Sequence, residues 1–257
     1  MQHAPLYHYD WIYTPVTPPL YNNTSLLAKI QHAWLTFVGD SLSRNTYHSL
    51  ACLLHGIPYQ HIHLPHYDEI RYYPSYNATI ARMWSCFLVM PDVYTRSIKP
   101  TRPRSVPDLG VDVSLAASLC NSTILVLGTG GWWGDTYRPL FWPSMAVVFE
   151  YTRDFAGIVV FHLQGRTSHY PCHNTSAPLT TLGSHPRDYD SFRSAIHSLQ
   201  PRYPHIRVLE TELLSEYRID AHPSSTPSYR ARKMDCQHWI LPGVPDTWNS
   251  LLFSFLL

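Results

Sequence analysis

Acyl transfer through a serine nucleophile needs a serine, an aspartate and a histidine. This chain carries them in that order near its two ends: Ser41 in Gly39-Asp40-Ser41, then Asp235 and His238 in Asp235-Cys236-Gln237-His238-Trp239. In that chemistry the hydroxyl attacks, the imidazole takes its proton, and the carboxylate fixes the imidazole tautomer and stabilises the imidazolium. An aspartate and a histidine three residues apart fit into one turn, so their hydrogen bond can form locally. Only the serine has to be brought in from afar. Each motif alone is common; the ordered set at opposite ends of a domain-sized chain is the informative observation.

The elements around Ser41 fit a nucleophile. Residues 35–38 (Leu-Thr-Phe-Val) are a short apolar run ended by Gly39 and predict a buried strand. Residues 42–55 hold Leu42, Leu50, Leu53 and Leu54 without a proline and predict a helix. Ser41 is then at a strand-to-helix turn, with helix N-terminal N–H groups facing any developing anion, at the sheet edge where open α/β sheets bind ligands.

The block Phe37-Val38-Gly39-Asp40-Ser41-Leu42-Ser43-Arg44-Asn45 resembles the GDS block of the trichome-birefringence-like family of plant polysaccharide O-acetyltransferases, within the broader PC-esterase group. Residues 218–224 and then 235–249 are similar to that family's C-terminal DxxH block almost residue for residue. Two weaker matches lie between them in the expected order: Tyr76-Asn77-Ala78-Thr79 with Phe87-Leu88-Val89, and Thr129-Gly130-Gly131-Trp132-Trp133. The resemblance runs from about Trp11 to the end of the chain.

It implies a three-layer α/β/α sandwich of SGNH/GDSL type with a central, mainly parallel sheet. It also implies an acetyl group carried on Ser41, with Asp235 and His238 as its partners, and an acetyl donor of unknown identity as co-substrate rather than a bound cofactor. The acceptor it implies is a polysaccharide hydroxyl; with water in that place the same residues make a carbohydrate esterase. A glycan-binding relative weakened in catalysis is the reading from a different class. Support of the turn and of the oxyanion falls to Gly39, Asp40, Gly128, Gly130, Arg44 and Asn45. Arg44 and Asn45 lock the turn by hydrogen bonds in preference to touching substrate. Asp220 and His222 are the second-choice acid–base pair.

The family writes its third block Asn-Thr-Gly-His-Trp-Trp, whereas this chain has glycine at 128 and 131. A missing oxyanion donor commonly lowers the rate by about a hundred-fold or more. Either backbone N–H groups of the glycine-rich turn take over, or the protein is a slow or inactive relative. Trp132 and Trp133 are either a platform for a sugar ring or ordinary packing.

Five cysteines leave at least one outside any intrachain pair. The resemblance implies a Cys172–Cys236 disulfide that ties a loop to the catalytic turn. Cys52, Cys86 and Cys120 either include a further pair or are buried small hydrophobes. Where the family has a second cysteine in its C-terminal block, this chain has Ile240, and the family's cysteine-rich N-terminal segment is absent.

Composition narrows the class. A chain of 257 residues suits one α/β domain, here residues 25–257 after an extended segment 1–24. A net charge of +1 argues against a nucleic-acid surface. Sequons at Asn22, Asn23, Asn77, Asn121 and Asn174 fit the secretory pathway, with the Golgi lumen first and the extracellular space as the alternative. No signal peptide and no run long enough to span a bilayer is visible. Family members usually carry an N-terminal anchor, so the chain is expected to be a trimmed lumenal domain or an incomplete gene product, with any membrane anchoring outside it. His61, His63 and His66 alternate in a loop but lack acidic or cysteine partners at metal-ligand spacing, so no metal is expected.

Further expectations complete the chain. A short helix over 25–31 capped by Thr24 or Ser25, loops over 57–74 and 91–112, and strands over 80–90, 124–127, 157–161 and 206–209 alternate with helices over 139–155 and 191–199. The apolar tail 251–257 is expected to pack on the core.

Overall fold

The structure, a computed structural model, describes residues 22–90, 110–134, 137–164, 172, 175, 177–181, 188–223 and 235–256. Its centre is β1 (Trp34–Gly39), in which every residue after Trp34 is buried. A strand buried on both faces reads as a continuous apolar run, as this one does. It pairs in parallel with β4 (Ala78–Trp84) on one side and β7 (Ile124–Gly128) on the other. Beyond β7, β8 (Ile158–Leu163) and β9 (Ile206–Glu210) continue in parallel. Beyond β4, β3 (Glu69–Tyr73) and β2 (Gln60–His61) run antiparallel. The resulting order is β2-β3-β4-β1-β7-β8-β9. A separate two-stranded ribbon joins β5 (Val89–Met90) to β6 (Gly110–Val111).

Side chains alternate across this sheet with period two and sort into two cores. Leu35, Phe37, Val126 and Val160 pack on one face, under α1 (Asn23–Lys29), α2 (Ser41–Leu53) and α7 (Val244–Phe255). Val38, Leu125, Leu127, Val159 and Phe161 pack on the other, with side chains of α3 (Val113–Asn121), α4 (Arg138–Tyr151) and α5 (Asp188–Leu199). This is the expected three-layer α/β/α arrangement around a mainly parallel sheet.

The strand order locates the crevice. After β1 the chain travels towards β4; after β7, the neighbour on the other side, it travels towards β8. The connections leaving two adjacent parallel strands thus diverge, and such a switch point opens a cleft at the C-terminal ends of the strands. The two segments that line it are Asp40-Ser41 and Thr129-Gly130-Gly131.

Several local expectations need correcting. The first helix starts at Asn23, and its cap is the Asn22 side chain, which accepts from Ser25 N, not Thr24 or Ser25. Residues 57–74 are not all loop: Glu69–Tyr73 is a strand whose half-buried, tyrosine- and arginine-rich face hides its period. The stretch 80–90 divides into β4 and the start of the ribbon. Pro143 is the sixth residue of α4, where it removes only one early backbone hydrogen bond. α3, capped by the Asp112 side chain on Ser114 N, α6 (Glu212–Glu216) and α7 were not foreseen. The tail does pack inward, with Leu252 and Phe253 wholly buried. Within the expected loop over 91–112, Gly110–Val111 is strand β6; residues 91–109, most of the N-terminal segment and the Asn174 sequon lie outside the described residues.

Candidate active site

Ser41 is the first residue of α2, and Asp40 is its N-cap. Gly39 permits the approach to the neighbouring strand: a Cβ there would lie 1.9 Å from the carbonyl oxygen of Gly128 and 2.3 Å from Ser43 Oγ. The Asp40 carboxylate, fully buried, accepts from Leu42 N at 2.9 Å through Oδ1. Through Oδ2 it accepts from Gly130 N at 3.2 Å and Gly131 N at 3.0 Å. Burial pushes this carboxyl above its ordinary value, against the pull of those backbone donors. Asp40 therefore ties the turn after β1 to the turn after β7. The N–H groups of Gly130 and Gly131 are engaged by Asp40, so they do not provide the substitute oxyanion donors that the glycine-rich sequence suggested. Ser41 itself is 7 % exposed.

The second half of the site is the loop that precedes α7. Asp235 Oδ1 accepts from Gln237 N at 3.1 Å and His238 N at 3.0 Å, an aspartate-stabilised turn. Oδ2 of the same carboxylate is 2.9 Å from His238 Nδ1. Burial raises the Asp235 carboxyl, but hydrogen bonds from His238 and Gln237 together outweigh it, and the net shift is downward. A carboxylate at Nδ1 favours the tautomer with its proton there, which leaves Nε2 as the acceptor. Nε2 of His238 is shielded from solvent and has no hydrogen-bond partner among the described residues. Ser41 Oγ and His238 Nε2 do not share a hydrogen bond in this state.

Four ties hold the loop in place, the first of them to the helix that begins at Ser41. Asn45, four residues along α2 from Ser41, brackets Trp239: its Nδ2 donates to the Trp239 carbonyl and its Oδ1 accepts from Trp239 N, both at 3.3 Å. Residues four apart share a helix face, so this clamp brings the loop to the side of α2 that carries Ser41. The Cys172–Cys236 disulfide secures the loop's other end. Ile240 N donates to the Ala221 carbonyl at 3.0 Å, and buried His222 lies 2.6 Å through Nδ1 from the His238 carbonyl while stacking on Trp239 at 3.9 Å. Below them Trp239 packs with Leu42, Ala221, Val244 and Trp248. Asp220, the second-choice acid, forms a two-pronged pair with Arg218 at 2.9 and 3.1 Å. Asp220 and His222 thus support the loop from behind.

The remaining sequence candidates divide. Arg44 is exposed and lies over the Trp84 ring at 5.8 Å. Trp133 does not face a sugar: it is 2 % exposed, wedged edge-on against Phe87 and Phe141, and its indole N–H donates to Thr129 Oγ1. A buried ring of that kind is core, which corrects its reading as a substrate platform. Trp132 is half-buried. Cys52 and Cys120 are exposed, Cys86 is buried, and no second disulfide joins them.

Sequence reasoning missed two glutamines. A Cβ at position 131 would lie 2.1 Å from Gln237 Nε2, and one at position 128 would lie 2.8 Å from Gln164 Nε2. The only sequence signal is the pair of glycines, which announces space without saying what fills it.

Comparison with known proteins agrees with this architecture. The family model for PC-Esterase, described as a GDSL/SGNH-like acyl-esterase family found in Pmr5 and Cas1p, matches residues 19–146 and 150–255. The chain is 27 % identical over 283 residues to "Protein trichome birefringence-like 38" of Arabidopsis thaliana, covering 96 % of this chain and 72 % of that protein. It is 28 % identical over 286 residues to "Protein trichome birefringence-like 40" of the same plant, covering 97 % and 76 %. It is 26 % identical over 324 residues to "Xylan O-acetyltransferase 12" of Oryza sativa subsp. japonica, covering 97 % and 61 %. With the family model spanning nearly the whole chain and the trichome-birefringence-like proteins among its relatives, the chain belongs to the PC-esterase family.

Proposed function

We propose that the protein moves an acetyl group onto a polysaccharide hydroxyl through an acetyl-serine at Ser41. The observation that carries this reading is the Asp235–His238 pair, whose shielded Nε2 has no partner, clamped by Asn45 against the helix that begins at Ser41. In the first half-reaction Ser41 Oγ bonds to the acetyl carbon and its proton passes to His238 Nε2. The tetrahedral adduct collapses, and the departing group of the donor takes that proton. In the second, the acceptor hydroxyl gives its proton to Nε2 and attacks the acetyl-serine, and Ser41 recovers its proton as the acetyl ester leaves. The Ser41–His238 contact is expected to form as substrate binds, as catalytic hydrogen bonds often tighten only in the complex with substrate.

Whichever hydroxyl is held in line decides between transferase and esterase. Rice relatives named xylan O-acetyltransferases support a polysaccharide, and a xylan oligosaccharide is the first acceptor to try. The acetyl donor is a co-substrate. The Cys172–Cys236 bridge supports residence in an oxidising compartment, and we assign the secretory pathway, with the Golgi lumen as the first location. No helix of the described residues is long and apolar enough to cross a membrane.

The test is incubation with a chromogenic acetyl ester, followed by intact mass, beside Ser41→Ala. The reading requires ester cleavage and a mass gain of one acetyl group, both lost in the variant. A folded protein with neither adduct nor turnover would refute it and turn attention to glycan binding.

A further inference from the structure

An oxyanion forming at Ser41 needs more than one donor, and the structure narrows the choice. The Ser41 N–H, in the first turn of α2, has no intrahelical acceptor. The N–H groups of Gly130 and Gly131 are held by Asp40. Residue 128, which pairs with Gly39 at the end of β1, has no side chain to offer.

Gln164 follows the last residue of β8 and reaches back over the end of β7. The point a Cβ on residue 128 would occupy lies 2.6 Å from Ser43 Oγ, and 2.8 and 2.9 Å from Nε2 and Cδ of Gln164. The amide nitrogen of an asparagine is about 2.4 Å from its own Cβ by ordinary bond lengths. The Gln164 nitrogen therefore lies at a distance from that point similar to that of the amide nitrogen of an asparagine at 128. A side chain at 128 and this carboxamide exclude one another.

The orientation of the amide follows from its neighbours. Ser43 Oγ donates its one proton to the Gly128 carbonyl at 3.0 Å, so it must accept from Gln164, whose Nε2 is 3.0 Å away. One N–H of the carboxamide is thereby engaged and a second remains. Oε1 is enclosed and has no hydrogen-bond partner among the described residues. A purely structural glutamine is expected to satisfy that oxygen, because an unpaired buried polar atom is costly.

We propose that Gln164 is the side-chain oxyanion donor of this site, supplied from β8 across the space left by Gly128. The proposal rests on the acetyl-serine reading above. In the tetrahedral intermediate the acetyl oxygen accepts from Ser41 N–H and from the second N–H of Gln164; no bond beyond those of the reaction forms or breaks. Gln237 fills the space beside Gly131 in the same manner, so Gly128 and Gly131 are each backed by a glutamine from elsewhere in the chain.

The experiment is an exchange of positions, read as kcat, KM and thermal midpoint. Gln164→Met keeps the shape and removes the donor; kcat should fall by about a hundred-fold with KM changed little. Gln164→Ala should fall as far, and Gly128→Asn added to it should restore at least ten-fold. Gly128→Asn alone should lower the thermal midpoint, and Gln164→Ala should relieve the part of that loss that Gln164 causes, the contact with buried Ser43 Oγ remaining. Gln164→Met within three-fold of the parent, or a double variant no faster than Gln164→Ala, would overturn the proposal. A parent protein that forms no acetyl-serine would overturn the donor role together with the acyl-transfer reading. The thermal comparison would then still show whether residues 128 and 164 compete for one space.

Discussion

The carboxylate of Asp235 performs two tasks: it builds the turn through the N–H groups of Gln237 and His238, and it orients the imidazole through Nδ1. These tasks separate by mutation. Asp235→Asn keeps an oxygen for the turn but no longer enforces the productive tautomer. It should therefore lower kcat by about a thousand-fold or more while the circular dichroism spectrum and thermal midpoint stay near the parent's. Asp235→Ala should lose both, visible as a drop in midpoint as well as in rate. Equal midpoints for the two variants would mean that the carboxylate does not hold the loop.

At the scale of elements, the site is a junction of strand ends, and its tolerances are set by close approach. Gly39→Ala would drive a Cβ into the Gly128 carbonyl at 1.9 Å, an atom fixed in the parallel ladder of the sheet. We expect a loss of about 3 kcal/mol or more, measured as a lower urea midpoint. The catalytic loop is tied from the opposite direction by the Cys172–Cys236 bridge, which closes a separation of 64 residues. On the loop-closure account its removal costs about 4 kcal/mol. Cys236→Ser should therefore lower the denaturation midpoint, and it should depress kcat as well, because the bridge ends beside Asp235. The Asn45 clamp joins helix to loop without touching the chemistry. Asn45→Ala should reduce kcat by roughly ten-fold through misplacement of His238, and a kcat equal to the parent's would dispose of that role.

Over the whole molecule, buried titratable groups shape stability against pH in opposing directions. Burial lowers His162 to about 3 and His222 to about 4. The unfolded chain protonates both near 6.5 and so binds more protons than the folded one below that pH. Stability consequently falls with pH below about 6.5, by up to ~1.4 kcal/mol per pH unit for each histidine. Glu212, 1 % exposed, is raised by burial to about 7. Its contribution is fully present below an unfolded value near 4.5 and is lost as pH rises through 7. Glu212→Gln should then stabilise the protein at pH 8 by up to ~3 kcal/mol and leave it nearly unchanged at pH 4.5, as read by chemical denaturation at the two values. The same change at both would show that Glu212 is not protonated when folded.

Local features of this protein are determined by the sequence itself. The apolar run ending at Gly39, the cap at Asp40 and the helix from Ser41 depend on neighbours in the chain, and the Asp235–His238 hydrogen bond closes within a single turn. The alternation of strands and helices sufficed for the layered architecture, and long motif matches pointed to the family. Features that depend on distant partners had to await the tertiary structure. Trp133, adjacent to a glycine-rich turn, looks available to a ligand until Phe87 and Phe141 close around it. The free-looking N–H groups of Gly130 and Gly131 belong to Asp40, ninety residues away. β3 was hidden because a strand beside the sheet edge with a mixed polar and aromatic face carries little apolar period. The space at Gly128 was legible as a missing side chain, but its occupant was not. Nothing local links residue 164 to residue 128; parallel pairing of β7 with β8 delivers the Gln164 carboxamide there.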